Sequence, residues 1–149
     1  MFLAACNSQS AMLYNNMMVE KENSLSPDIE RINKEIKSYS GKNQFDSVAV
    51  ASKELVAIMD KKIAEIDAAR MPSAVGVETF KKTYLAYFQF MKGVYVAYIK
   101  IGEAKTDADR HEEQAKMMTI INGIKKEIVK LQTAQRKFAS ENDFSLNSK

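Results

Sequence analysis

The sequence predicts an all-α protein, an up-down-up-down four-helix bundle whose first helix is broken or kinked near Pro27. Three observations lead there. With no tryptophan, two prolines and five glycines in 149 residues, the chain lacks the means for a sheet protein built on tight turns. Its Gly and Pro punctuation gathers at residues 40–43, 71–76 and 102–106. Between these points the apolar residues recur at helical period, and short connections between long helices force antiparallel neighbours. At this length the chain forms one domain, and its 46% apolar and 28% charged residues are ordinary for a globular fold. We divide it into a terminal motif and polar tether (1–9), a helical bundle domain (10–140) and a polar, frayed tail (141–149).

Segment one keeps Leu13, Met17, Leu25, Ile29, Ile32, Ile36 and Tyr39 in one helical phase, yet Pro27 falls in its middle. A mid-helix proline costs about 3 kcal/mol. Placing Ser26 as N-cap and Pro27 at the first helical position avoids that cost, so a break near residues 24–27 is expected, with both halves covering one side of the bundle. Gly41 is placed to end this segment in a left-handed cap. Segment two carries a looser stripe of Phe45, Val48, Leu55, Met59, Ile63 and Ile66.

Segment three is the clearest. Val77, Phe80, Tyr84, Tyr87, Met91, Val94, Tyr98 and Ile101 follow an alternating three-four spacing, a heptad seam. Segment four repeats it with Met117, Ile121, Ile124, Ile128, Leu131, Gln135 and Phe138. Its start is marked by Thr106 with Asp109 three residues on, and by Glu112 and Glu113 near the positive end of the helix dipole. Two seams in consecutive segments mean helices packed lengthwise. Such a seam serves a dimer as well as an intrachain bundle, so the oligomeric state stays open.

Chemistry is sparse. The single histidine, His111, sits in a first turn beside Asp107; a di-iron bundle needs two Glu-x-x-His pairs, and this chain has none. A serine or cysteine nucleophile would have to use His111 as base, no Gly-x-Ser-x-Gly elbow is present, and the isolated glycines form no phosphate-cradling loop. No enzyme activity, metal or cofactor is therefore expected. The net charge of +3 is too small to imply nucleic acid, and lysines alternate with acids as on solvated helix faces. The one basic run, Lys125, Lys126, Lys130, Arg136 and Lys137, reads either as such a face or as an anion-binding one.

Seven of the thirteen aromatics fall within residues 80–98, so segment three is the place to look for a site. The plain reading is core, with buried tyrosines needing hydroxyl partners and Gln135 on the facing seam available as one. The sharper reading is a groove of Tyr84, Tyr87, Met91 and Tyr98 that takes an apolar ligand or a partner helix. Leu85 and Val96 point to the opposite side and form a candidate exposed apolar spot. Gln89, Lys92 and Lys100 interrupt this segment, whereas a spanning helix wants about 20 nearly uncharged residues.

The chain opens on Leu3-Ala4-Ala5-Cys6, an apolar residue and two small ones before the only cysteine, followed by polar Asn7-Ser8-Gln9-Ser10. This pattern resembles a lipobox, whose cysteine becomes thioether-linked to diacylglycerol. A full signal places a charged n-region and an apolar h-region before the cleavage site. The lipoprotein reading therefore expects a start upstream of Met1, and its rival takes Met1 as the start of a cytoplasmic helical protein. With Tyr14-Asn15-Asn16, Met17-Met18-Val19 and four long helical segments, the chain resembles the small helical surface lipoproteins of Gram-negative bacteria. That resemblance implies lipidation of Cys6, attachment to the cell envelope at the outer membrane, and no catalytic residues. The expected function is a non-enzymatic envelope module binding a protein partner through a helical face; the alternative is a carrier or sensor of a small apolar ligand.

Overall fold

The computed structural model describes residues 2–146, with side chains from Asn7 onward, so the expected lipid-bearing thiol of Cys6 and the last residues, 147–149, lie outside the described parts. Helices are the only regular elements among the described residues: α1 (Phe2–Asn23), α2 (Ser26–Gly41), α3 (Phe45–Ala68), α4 (Val77–Glu103) and α5 (Asp107–Glu141). Four of them pack against one another in chain order, α2 on α3, α3 on α4 and α4 on α5, while α1 touches α3 and α5.

Segment one is two helices joined by a turn at Ser24 and Leu25. Leu25, not Ser26, is the cap residue; it holds helical angles (φ −83°, ψ −22°) and offers no side-chain cap. Pro27 falls in the first turn of α2, where no intrahelical acceptor waits for its missing N–H. The buried face of α1 also differs from the expected stripe. Leu13 is 58% exposed, and Ala11, Tyr14, Asn15 and Met18 face inward instead. From Leu25 on the expected positions hold, with Leu25, Ile32 and Ile36 buried. Residues 7–10, read as a tether, continue α1.

The left-handed residue after α2 is Asn43 (φ 56°), not Gly41, which is the last residue of the helix and has open space where a Cβ would stand. Asparagine is among the few residues besides glycine that adopt that conformation. Small residues decide how α3 meets α4. Ala49, Ala51 and Ser52 are buried on α3, and the Ser52 hydroxyl donates to the carbonyl of Val48 at 2.7 Å. Opposite them, a Cβ on Gly102 would lie 2.6 Å from the Phe45 carbonyl and 2.7 Å from Ala49. Outside this contact, ion pairs join Lys53 to Glu103 and Lys92 to Asp60.

Thr106 caps α5 as its spacing predicts: its hydroxyl accepts from the Asp109 N–H at 3.1 Å and donates to the Asp109 carboxylate at 2.7 Å. Arg110 secures the same corner, its guanidinium 3.8 Å above the Phe45 ring. The α4–α5 interface centres on Phe80, stacked on Phe138 at 4.4 Å between ring centroids. Beyond α5, the residues read as a polar tail have partners. Asn142 donates to the carbonyls of Val75 and Phe138 and accepts from the Val75 N–H, Phe144 packs edge-on against Phe138, and the Ser8 hydroxyl donates to the Asp143 carbonyl. This clasp ties the segment after α5 to the loop before α4 and to Ser8 of α1.

Candidate functional site

Tyr84 is fully buried at the centre of α4, between Phe80 and Phe88. Its hydroxyl accepts a 2.6 Å hydrogen bond from the Gln135 side chain, the partner expected from the facing seam. Burial, reinforced by the charge of Glu22, pushes the Tyr84 phenol above its ordinary range. Tyr87, one turn on, is half-buried, and burial followed by the same Glu22 charge pushes its phenol up too.

Tyr87 lines a cleft of about 720 Å³ between α1 and α5. Asn15, Val19 and Glu22 form the α1 wall, and Ile128, Leu131 and Gln135 the α5 wall. The other two residues of the expected groove lie elsewhere along α4. Met91 and Tyr98 are half-buried and packed against the core; the Tyr98 ring stands 6.2 Å from that of Tyr95, whose hydroxyl donates to Asn33 at 3.1 Å. The structure thus divides the four: Tyr84 beneath the cleft, Tyr87 on its wall, and Met91 and Tyr98 away from it. Leu85 and Val96 are half-buried. The large apolar side chains most open to solvent are others: Leu13, Val50, Met71, Val75, Met118, Ile128 and Val129.

Sequence reasoning missed Asn15 as a cleft residue. It is 4% exposed, with its Oδ1 buried and without a partner, and its amide reaches Asn16 only at 3.4 Å. The neighbouring Tyr14 hydroxyl is buried and unpartnered as well. Two orphaned polar atoms in a row are uncommon, because each costs roughly 1–3 kcal/mol in desolvation. The only signal for them in the sequence is the placing of Tyr14 and Asn15 next to Met18 on one helical face, which the phase of Leu13 and Met17 obscures.

His111 is exposed. Among the described residues no group of three or more His, Cys, Asp and Glu side chains converges, and no helix is long and apolar enough to cross a membrane. No family model matches this chain, and neither the curated proteins nor the solved structures hold a match to it.

Proposed function

We propose that this chain is a non-enzymatic interaction module of the Gram-negative cell envelope, held at the outer membrane by acyl chains on Cys6 and presenting helix α5 to a protein partner. The observation that carries the binding half is the bareness of α5. Over 35 residues only Leu131, Phe138 and Ala139 are buried, while Met118 and Ile128 stand open to solvent. Exposed large apolar groups along one helix suit helix-in-groove recognition by a second helical surface. The lipobox-like Leu3-Ala4-Ala5-Cys6 supports the tether; more than one acyl chain makes such an anchor stable, since each buried methylene contributes about 0.8 kcal/mol.

An up-down-up-down course suits this role, because it holds α5 rigid against α4. Its support is the order of contacts: Lys92 with Asp60 and Lys53 with Glu103 between α3 and α4, Tyr84 with Gln135 and Phe80 with Phe138 between α4 and α5. We read α1 and α2 as one bent rod on a single side, supported by the ion pairs of Lys21 with Glu65 and Arg31 with Glu54, both on α3. The test is site-specific photo-crosslinking in cells. A crosslinker at Met118 or Ile128 should trap one protein of defined mass, and Val50, apolar and more exposed than either on α3, should not. Equal trapping at all three positions, or none at either α5 position, contradicts the reading.

The carrier reading is favoured by one observation, the cleft beside Tyr87 with the orphaned Asn15 oxygen at its wall. It calls for a small ligand offering an N–H or O–H donor to that oxygen. Asn15→Leu would then abolish ligand binding while preserving the trap at Met118.

A further inference from the structure

A second groove runs along the outer seam of α4 and α5, with a volume of about 810 Å³. Its apolar surface is made by Val129, Ala134 and the stems of the threonines and lysines, above the buried rings of Phe80 and Phe138, and Lys125 and Lys126 stand at its Asn122 end. Three features describe what would fit. The volume lies within the few hundred to about 1,000 Å³ of small-molecule sites. The apolar strip is narrow on α5, flanked by threonine and lysine at every turn, whereas a docked amphipathic helix needs a stripe about 100° wide. And the charge is lopsided. Lys130 is held by Glu127 at 2.6 Å and Lys137 lies 3.7 Å from Glu141, but Lys125 and Lys126 form no ion pair among the described residues. At the far end Glu141 answers Lys137, its carboxylate set against Gly76, 2.6 Å from where a Cβ would stand.

We propose that this groove binds a monomeric long-chain carboxylate, its alkyl chain along Val129, Ala134 and the threonine and lysine stems and its head group between Lys125 and Lys126. The two unpaired ammonium groups supply the anion's partners and fix its direction, because Lys130 and Lys137 farther along are each matched by an acid. The site shares no residue with the Cys6 tether, with Met118 or with the Tyr87 cleft, so it stands or falls separately from the proposed function.

The test is calorimetric titration of the full chain with dodecanoate below its micellar concentration, with dodecyltrimethylammonium as the cationic comparator. Dodecanoate should bind as one molecule per chain and more tightly than the comparator. Tetradecanoate should bind roughly tenfold tighter again, as two further buried methylenes require. The double change Lys125→Glu with Lys126→Glu, at two exposed positions, should weaken dodecanoate about tenfold and reverse the preference between the two amphiphiles. Thr133→Trp, which fills the groove from its exposed edge, should block both, and Tyr87→Ala should leave both unchanged. Added salt should weaken dodecanoate more than the comparator. The proposal is overturned by no saturable dodecanoate binding, by equal binding of both amphiphiles that ignores the lysine changes, by binding that survives Thr133→Trp, or by attachment to phosphatidylglycerol vesicles without binding of the monomer.

Discussion

At the scale of single residues, Tyr84 and Tyr87 show how neighbouring seam positions part company once a third helix covers only one of them. Tyr84 lies under Glu22 and Gln135, so Tyr84→Ala empties core volume and should cost about 3–5 kcal/mol in denaturant unfolding. Tyr87 borders the cleft, and Tyr87→Ala should cost clearly less; equal losses would mean that the cleft is closed in solution. Tyr14 offers the reverse case. Its hydroxyl is buried without a partner, so Tyr14→Phe should stabilise the fold by about 1 kcal/mol. Both phenols are held above their ordinary value by burial, Tyr14 at about 12. A raised phenol pKa favours the neutral form in the folded state, so its contribution is full below pH ~10 and fades as pH rises through the folded value. Stability should therefore fall between pH ~10 and 12, less steeply in Tyr14→Phe. An unchanged slope in that variant would show that its ring is hydrated.

At the scale of elements, the long periodic segments were legible because burial on one face leaves a repeating mark, and α4 carries it from Val77 to Ile101. The cap of α5 was legible for a similar reason: a threonine with an acid three residues on has a local bonding pattern of its own. What stayed hidden was decided by neighbours. Leu13 and Met18 are equally apolar, and only the position of α3 and α5 selects Met18 for the core. Gly41 and Asn43 both tolerate a left-handed turn, and the hydrogen bonds from the Lys42, Asn43 and Gln44 N–H groups back to Tyr39 and Ser40 carry the helix one residue further than the glycine suggested. Gly102 reads as loop punctuation, yet it lies inside α4 where that helix passes too close to α3 for a Cβ. Gly102→Ala forces its methyl against Ala49 and the Phe45 carbonyl, and should cost about 1–3 kcal/mol. Thermal unfolding checks this, and an unchanged midpoint would show that the two helices part freely there. Thr106→Ala should cost about 1 kcal/mol by the same measurement.

At the scale of the whole molecule, the helical architecture followed from punctuation and period, while the candidate sites did not. The expected tyrosine groove joined residues that share a seam, but the cleft forms where α1 and α5 stand apart beside Tyr87, and the sequence of α4 says nothing about where α1 lies. The clasp of Asn142 on Val75 was equally invisible, since polar residues past the last helical turn look the same whether solvated or bonded. The clasp, with Ser8 bonded to Asp143, brings the chain end beside the segment that follows Cys6. With the proposed anchor on Cys6, this is the end of the bundle that would face the membrane. The most direct test is the intact mass and membrane fractionation of the protein made in a Gram-negative host from its native locus, with the codons upstream of Met1 included. The account predicts a product beginning at Cys6, carrying added acyl mass and found in the membrane fraction. An unmodified soluble product beginning at Met1 would contradict it.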